Sequence, residues 1–230
     1  FGVLYQKMGQ FDKSIDCLNK AIDIQKTLKD NNELAGNLCN LSLSYFDLGN
    51  MSDAKNNLDL GMKLFKDIGN QRALNIGNFE MANFLRFEDK YDLAIEILVP
   101  SINFFEEIGD TVFLLRSLIQ LGVLQRLNKD SKNAIKTLEK SLEIANKIDS
   151  NIFIETVNIE LNICNLKKSI DQLKKQVEKT TDLSVKAYIN FNIYKNTNDK
   201  DAKLLAEKEY KTLYSKSKKF EYKYYLNKLK

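Results

Sequence analysis

The residues of this chain that could take part in chemistry are carboxylates, thiols and a few arginines, because the sequence contains no histidine. Without an imidazole there is no Ser-His-Asp or Cys-His nucleophile pair, no histidine acid/base step and no histidine metal ligand. Acidic neighbours such as Glu106 and Glu107, or Asp199 and Asp201, fall in polar helix faces or turns, where solvated charge is the ordinary role. No glycines stand in the frame of a phosphate-binding loop. We therefore expect no catalytic residues, no cofactor, no metal site and no enzymatic activity.

The three cysteines indicate the compartment rather than a site. Cys17, Cys39 and Cys164 are odd in number and far apart, which fits neither a disulfide framework nor a CxxC metal or redox motif. No apolar run of about eighteen residues could span a membrane, and no charged-then-apolar signal segment opens the chain. We expect a reducing, cytoplasmic setting.

The net charge of +4 is unevenly distributed. Residues 167–230 hold 17 lysines against 8 acids, a net +9, which leaves residues 1–166 with a net charge of −5. The same basic segment carries seven of the ten tyrosines, namely Tyr188, Tyr194, Tyr210, Tyr214, Tyr222, Tyr224 and Tyr225. Basic residues interleaved with aromatic ones can bind single-stranded nucleic acid or lie on an anionic membrane. The alternative, which we favour, is a solvated capping helix whose tyrosines pack on the last helix pair.

Any functional side chain must be positioned by helices, because the apolar residues recur with helical spacing inside a unit that repeats every forty residues. A large apolar column contains Phe1, Leu41, Met81 and Leu121, and the adjacent small column contains Gly2, Ser42, Ala82 and Gly122. Each unit reads as two helices joined by a tight turn, with Gly9 and Gly49 at the break. Side chains that can cap the next helix recur at the other boundary, at Asp30, Asn70, Asp110 and Ser150.

These columns resemble the tetratricopeptide repeat family. The segment FGVLYQKMGQFDKSIDCLNKA matches its pattern at Gly2, Tyr5, Gly9, Phe11, Ser14, Leu18 and Ala21. The segment LSLSYFDLGNMSDAKNNLDLG repeats that pattern at Leu41, Ser42, Tyr45, Gly49, Met51, Ala54, Leu58 and Gly61. The third and fourth repeats carry Asp89 and Lys129 in place of the turn glycine. The forty-residue period is similar to the long-helix variant of kinesin light chain and of bacterial peptide-responsive regulators.

The resemblance implies an all-α fold, a right-handed α-solenoid of antiparallel helix pairs. We expect repeats 1–4 over residues 1–150, the first one truncated because Phe1 falls inside a first helix. Degenerate repeats 5 and 6 are expected over residues 151–215, with helices near 152–166, 169–179, 183–195 and 200–215. Residues 157–166 could also be an alternating strand. A basic C-terminal capping helix is expected over residues 216–230.

In proteins of the resembled family the first helix of each pair lines a concave groove that binds a partner. Carried over to this chain, the partner-binding residues are Asn40, Leu43, Phe46, Phe79, Glu80, Asn83, Arg86, Phe87, Arg116, Gln120, Val123 and Arg126. Several are large and apolar without being needed for packing within a pair, and exposed apolar surface of that extent marks a binding site. The alternative is that the solenoid curls enough to bury them against its next turn or against the tail.

Arginine is scarce in this lysine-rich chain and is concentrated in the predicted groove. Only Arg72, Arg86, Arg116 and Arg126 occur, all in the first helices of repeats 3 and 4. A planar, bidentate donor at equivalent positions favours recognition of a carboxylate or a phosphate. We therefore predict an arginine cluster for the acidic end of a peptide. The alternative is local pairing of these arginines with acids of the same region, Glu80, Glu88 or Asp130.

The predicted function is that of a non-enzymatic scaffold that binds a protein or peptide in its concave groove. The alternative is a peptide-sensing regulatory region of a larger kinase, cyclase or transcription factor. Contact with nucleic acid or a membrane through the basic tail is a weaker alternative. We expect no small-molecule substrate, and self-association through the truncated first pair stays open.

Overall fold

The computed structural model describes residues 1–230 as an array of thirteen helices without strands, which confirms the all-α prediction. The helices are α1 (Gly2–Lys7), α2 (Phe11–Leu28), α3 (Asn31–Leu48), α4 (Met51–Asp67), α5 (Gln71–Phe87), α6 (Tyr91–Glu107), α7 (Thr111–Leu127), α8 (Ser131–Lys147), α9 (Asn151–Cys164), α10 (Leu166–Lys179), α11 (Leu183–Thr197), α12 (Lys200–Ser217) and α13 (Phe220–Lys228). The odd-numbered helices from α1 to α11 are the first members of six pairs. Residues 157–166, for which a strand was the alternative, are helical apart from the break between α9 and α10.

The turns between helices recur with the predicted spacing. A residue with positive φ occurs every twenty residues in the first four repeats, at Gly9, Lys29, Gly49, Gly69, Asp89, Gly109, Lys129 and Asp149. Asp89 and Lys129 thus adopt the left-handed conformation without the freedom of glycine, at a cost of about 1–2 kcal/mol each. Both repeats lacking the turn glycine therefore keep the same turn geometry.

The predicted helix caps are confirmed at three of four positions. The carboxylate of Asp30, the amide oxygen of Asn70 and the carboxylate of Asp110 each accept a hydrogen bond from a backbone N–H three residues later. Ser150 makes no such bond, so that part of the prediction is wrong. The small columns are also confirmed, since a Cβ placed on Gly122 would lie 2.6 Å from Cγ of Leu138. Helices of one pair therefore approach closely at these positions.

Two further helix pairs follow the four regular repeats. α9 and α10 form the fifth pair, and α11 and α12 form the sixth, with ends within three residues of the predicted ones. Their shared core contains Ile163, Leu173, Ile189 and Ile193. The separate cores of the regular repeats join neighbouring units, for example Leu98 with Leu118.

The last three helices, α11–α13, return to the array, and we call them the C-terminal segment. One core cluster combines residues of repeats 2 and 3 with residues of this segment, and its members are Phe46, Ala54, Leu58, Phe84, Phe87, Ala187, Ala206, Tyr210, Tyr225 and Leu229. The tyrosines of the basic segment were expected to pack on the last pair in a solvated capping helix. That expectation is incomplete, because Tyr225 and its neighbours on α13 also pack against α3 and α5 of the array. Because the C-terminal segment folds back onto repeats 2 and 3, these tyrosines are buried against apolar residues of the array as well as against the last pair.

Asp89, in the turn between α5 and α6, is a polar anchor for α13. Its carboxylate accepts hydrogen bonds from Tyr224 Oη at 2.9 Å, from Lys228 Nζ at 2.7 Å and from Tyr91 Oη at 2.7 Å. Partial burial opposes ionisation, but the bonds from Lys228, Tyr91 and Tyr224 outweigh it and hold the pKa of Asp89 below its usual value. The basic end of the chain is thus bound to the acidic array at this point.

Candidate functional site

The predicted groove residues lie on the first helices α3, α5 and α7, whose inner surface faces the C-terminal segment. They are Asn40, Leu43 and Phe46 on α3, Phe79, Glu80, Asn83, Arg86 and Phe87 on α5, and Arg116, Gln120, Val123 and Arg126 on α7. The structure divides this surface into two halves. The covered half, defined by Phe46, Phe87 and Arg126, lies toward the carboxyl ends of the three helices. The open groove, defined by Phe79, Glu80, Asn83, Arg116 and Gln120, lies nearer the middles of α5 and α7, and Arg86 and Val123 border both halves.

The aromatic rings of the covered half are buried by the chain itself. Phe46 stacks on Phe84 with ring centroids 4.6 Å apart and meets Phe220 of α13 edge-on at 5.7 Å. Phe87 meets Tyr224 of α13 edge-on at 5.0 Å. Only 6% of Phe46 and 6% of Phe87 remain exposed. Their predicted role as accessible anchors is therefore wrong for this structure, because the solenoid curls onto its own C-terminal segment.

Val123, Leu43 and Asn40 also contribute little to an accessible surface. Val123 is buried, and Leu43 packs partly buried against the aromatic core. Asn40 is half-buried and lines neither the cavity between α5, α7, α9 and α13 nor the cavity between α5, α7, α11 and α13. The open part of the predicted groove is thus made by α5 and α7 rather than by α3.

Arg126 is held by a network that reaches three helices. Its Nη2 lies 3.2 Å from Oε2 of Glu160 on α9 and donates to Tyr188 Oη at 3.0 Å, while Nη1 donates to Asn192 Oδ1 at 3.3 Å. The side chains of Arg126 and Glu160 are 11% and 7% exposed, so the ion pair is nearly dry. Arg126 thus fits neither the predicted cluster for a ligand nor the alternative of local partners, because its acid comes from the following helix pair. A buried pair of this kind fixes α7 against α9 and α11.

The other three arginines differ in their partners. Arg72 pairs with Asp110 of the next repeat at 2.7 Å. Arg86 donates to Asn83 Oδ1 at 3.1 Å and to Tyr225 Oη at 3.4 Å, and no carboxylate lies within ion-pair distance. Arg116 is exposed, and its guanidinium carbon lies 4.9 Å from the ring centroid of Phe79. Arg116 is therefore the exposed arginine of the groove predicted on the inner surface, and its guanidinium can receive an anionic group.

The open groove encloses a volume of about 420 Å³ between α5, α7, α9 and α13. Seven of the twelve predicted residues line it, and they are Phe79, Glu80, Asn83, Arg86, Arg116, Gln120 and Val123. Ile152 and Phe153 at the start of α9 form a further wall, with Tyr225 and Glu221 of α13 opposite the array. Ile152 is 77% exposed, so an apolar side chain stands uncovered in the wall of the groove.

Polar groups of the groove are incompletely satisfied. Gln120 donates from Nε2 to the carbonyl oxygen of Phe79 at 3.4 Å, while its buried Oε1 has no hydrogen-bond partner. A buried acceptor without a partner costs free energy. Gln120 is therefore an energetically unfavourable point in the wall of the groove.

Glu80 gives the groove a carboxyl group that titrates near neutrality. Burial, opposed by the charge of Arg116 and reinforced by that of Asp47, raises the pKa of Glu80 to about 7. A large part of Glu80 is thus protonated at neutral pH. The charge on Arg116 is then only partly neutralised by its nearest acid.

Sequence models of the tetratricopeptide repeat match residues 72–147 and residues 1–28 of the chain. These matches cover part of the first repeat and most of repeats 3 and 4, including α5 and α7 of the open groove. Over these segments the chain carries tetratricopeptide repeats. A comparison with curated proteins gave no match.

Solved structures with the same architecture include several Rap proteins. The apo form of RapI shares 14% identity over 99% of this chain and 82% of its own length, with a TM-score of 0.73. The Rap conjugation gene regulator of plasmid pLS20, in complex with the Phr* peptide, shares 17% identity over 94% of this chain, with a TM-score of 0.80. Aspartyl phosphate phosphatase F from Bacillus subtilis shares 15% identity over 89%, with a TM-score of 0.75. This chain spans 61% and 56% of the latter two proteins. At these identities the likeness shows the fold.

The thiols and paired carboxylates of the chain have ordinary structural surroundings. Burial raises the pKa of Cys39 to about 12 and that of Cys164 to about 11, which keeps both thiols protonated. Glu106 pairs with Lys140 at 2.8 Å on an exposed surface, and Asp199 caps α12. No three or more Cys, Asp and Glu side chains come together as a metal site would require. None of the helices combines the length and the apolar character that a membrane span needs.

Several residues of the site were not predicted from the sequence, although the sequence pattern indicates one of them, Glu160. Glu160 continues the forty-residue column of Asn40, Glu80 and Gln120 into the fifth pair. It is also the only charged residue between positions 156 and 166, which is typical of a buried ion pair. Extending the repeat by one unit would have found it, whereas nothing local indicated Tyr225.

Proposed function

We propose that this chain binds a protein or peptide segment in the open groove between α5, α7, α9 and α13. The observation that carries the proposal is the accessible groove itself, whose lining includes the uncovered side chain of Ile152 and the exposed guanidinium of Arg116. A peptide supplies an apolar side chain that can cover Ile152 and a carboxylate that can pair with Arg116.

Apolar anchoring is assigned to Phe79, Ile119, Ile152 and Phe153, which line the groove from three helices. Side chains of this kind, placed around a few polar groups, are typical of concave binding sites. Phe79 is held in place by Arg116 over its face and by Phe113, whose ring meets it edge-on at 6.3 Å. The anchor is therefore preorganised before a ligand arrives.

An acidic end of the peptide is assigned to Arg116. Its guanidinium is exposed and stacked, so its edge is available for a bidentate bond to a carboxylate. Glu80 competes for this charge only in its ionised form, and its pKa of about 7 weakens that competition at neutral pH. A ligand carboxylate near Arg116 would favour the protonated form of Glu80 further.

The structural likeness supports the proposal, because the Rap regulator of plasmid pLS20 was solved with the Phr* peptide bound. We propose no enzymatic activity for this chain, although one protein of the same fold is named a phosphatase. The raised pKa values of Cys39 and Cys164 are consistent with that proposal. The three free cysteines are consistent with a reducing, cytoplasmic location.

The proposal is tested with a display library of unstructured peptides selected on the wild-type protein. Affinities of the enriched peptides are then measured by fluorescence polarisation on Phe79→Ala with Arg116→Gln, and on the control Arg72→Gln. We expect the double variant to bind at least 30-fold more weakly, about 2 kcal/mol, and the control to bind like wild type. Equal affinity of wild type and the double variant would refute binding in the open groove.

A second candidate function is that of a peptide-sensing regulatory region. The observation that favours it is the composition of the groove wall, which includes Tyr225 and Glu221 of α13 together with residues of the array. A ligand that contacts both parts shifts the equilibrium between closed and open arrangements in proportion to its differential affinity. Hydrogen exchange of α13 with and without an enriched peptide separates the candidates. A scaffold leaves the exchange rates of α13 unchanged, whereas a sensor changes them.

A further inference from the structure

A second cavity lies behind the open groove, at the junction between the array and the C-terminal segment. It encloses about 430 Å³ and is walled by α5 and α7 on one side and by α11 and α13 on the other. We call it the closure cavity. Arg86 stands between the two cavities and lines both.

The closure cavity is lined by cations and by no carboxylate. Its charged residues are Arg86, Arg126, Lys129, Lys195 and Lys228. Two of these charges are compensated from outside the lining, Arg126 by Glu160 at 3.2 Å and Lys228 by Asp89 at 2.7 Å. The charges of the other three have no acidic partner within ion-pair distance. A cavity with uncompensated positive charge and low-dielectric walls attracts anions.

Arg86 itself has no anionic partner within ion-pair distance, and Arg126 keeps an unsatisfied donor. Arg86 has lost much of its hydration, yet it donates only to the neutral oxygens of Asn83 and Tyr225. Arg126 keeps a buried Nε–H without any hydrogen-bond partner, although its other nitrogens are bonded. A desolvated cation without an anion is costly, and native structures tolerate it where a ligand completes the site.

The rest of the lining determines the size and kind of the ligand. Phe191 and Tyr91 present aromatic surface, and Asn196 and Ser131 present amide and hydroxyl groups. A volume of about 430 Å³ exceeds what a bare inorganic ion fills and falls in the range of small-molecule sites. The lining thus fits an anionic group carried on a planar organic body.

We propose that the closure cavity binds a small organic anion, through a carboxylate or phosphoryl group held by the cations around Arg86. This ligand is distinct from the peptide of the open groove. Because the walls belong to both the array and the C-terminal segment, the bound anion stabilises the closed arrangement of α13 against α5 and α7. Binding of a metabolite-sized anion in this cavity thereby favours the closed arrangement of the solenoid over the open one.

The probes are phenyl phosphate and benzoate, with phenol as the neutral counterpart and inorganic phosphate as the bare anion. Binding is measured by calorimetry, and the melting temperature is followed at constant ionic strength. We expect phenyl phosphate or benzoate to bind and to raise the melting temperature, and phenol to do neither. The tighter of the two identifies the anionic group, and inorganic phosphate is expected to bind more weakly than phenyl phosphate.

Lys129→Gln with Lys195→Gln removes two exposed charges from the lining without touching the buried network. We expect this variant to fold and to bind the anionic probe about tenfold more weakly. The matched control, Lys132→Gln with Lys200→Gln, removes two exposed lysines outside the lining and keeps wild-type affinity.

Three results would overturn the proposal. One is equal affinity of the cavity variant and its lysine control, and another is binding of phenol as tight as that of phenyl phosphate. The third is loss of probe binding in the Phe79→Ala, Arg116→Gln variant with no loss in the lysine variant, which would place the anion in the open groove. Failure of peptide selection leaves these measurements unaffected, so the two proposals fail separately.

Discussion

Both halves of the inner surface include residues of α5 and α7, yet the two halves differ in what faces them. Phe46, Arg86 and Arg126 share one forty-residue column and are covered by the C-terminal segment. Glu80 and Gln120 share another column and line a groove open to solvent. Two inward-facing columns of the repeat thus acquire opposite roles through a contact that the repeat does not encode. Position within a repeat shows which side chains point inward, and closure decides which of them stay accessible.

The largest expected effect separates the two aromatic residues that the sequence could not tell apart. Phe46→Ala removes a buried ring stacked on Phe84 and should lower the free energy of unfolding by about 3–5 kcal/mol. Phe79→Ala removes a half-buried ring at the groove and should cost about 1–2 kcal/mol. Urea unfolding followed by circular dichroism measures both values. Similar costs for the two variants would contradict the division into a covered and an open half.

The arginines provide the second contrast. Arg126→Gln leaves Glu160 buried without its cation and should destabilise the protein by about 2–4 kcal/mol. Arg116→Gln, with the same change of side chain at an exposed position, should change stability by less than about 1 kcal/mol. The same urea titrations test this, and an Arg126→Gln variant as stable as Arg116→Gln would rule out the nearly dry ion pair.

The pH dependence of the free energy of unfolding tests whether the pKa of Glu80 in the open groove is raised. Because burial raises its pKa from 4.5 to about 7, the folded protein holds this proton more tightly than the unfolded chain does. The contribution of Glu80 to stability is therefore lost as the pH rises from about 4.5 through about 7. Glu80→Gln should be more stable than wild type by roughly 1–3 kcal/mol above pH 7, partial exposure favouring the lower end.

Thermal melts between pH 4 and pH 8 provide the measurement for Glu80. The difference between Glu80→Gln and wild type should vanish near pH 4, where the wild-type carboxyl group is already neutral. The exposed Glu107→Gln is the control and should follow the wild-type profile. A difference that is constant across this pH range would show that Glu80 does not titrate with a raised pKa.

The smallest expected effect concerns the polar anchor of α13. A double-mutant cycle of Asp89→Asn and Lys228→Gln should give a coupling of about 0.5–1 kcal/mol, because the pair is about half exposed. The coupling should fall as salt is added. Zero coupling at low salt would show that the apolar contacts alone hold α13 in place.

Much of the array could be predicted from the sequence because its information is local and repeated. The columns of small and large residues determine the helix pairs, and Asp89 and Lys129 take the turn conformation of the glycines they replace. The closure could not be predicted in the same way. It joins residues about 135 positions apart, such as Tyr224 and Asp89, and no periodic pattern connects them. The predicted residues on α5 and α7 therefore line the open groove, whereas those on α3 do not, and the walls from α9 and α13 were not predicted.

The closure of the solenoid is tested most directly by a cysteine pair across the covered half. A Cβ on Gly49 would lie 3.6 Å from Cβ of Phe220, within the range of about 3.5–4.5 Å that a disulfide needs. Gly49→Cys with Phe220→Cys is made with the three native cysteines replaced by alanine. Gly69→Cys with Phe220→Cys is the control, since Gly69 is also a turn glycine of positive φ but has no neighbour within 4 Å.

Mild oxidation and non-reducing electrophoresis then report whether a disulfide forms within one molecule. The closed solenoid predicts an intramolecular disulfide for the pair at positions 49 and 220 and none for the control. A 49/220 pair that stays reduced, or that cross-links only between molecules, would contradict the packing of α13 against the array.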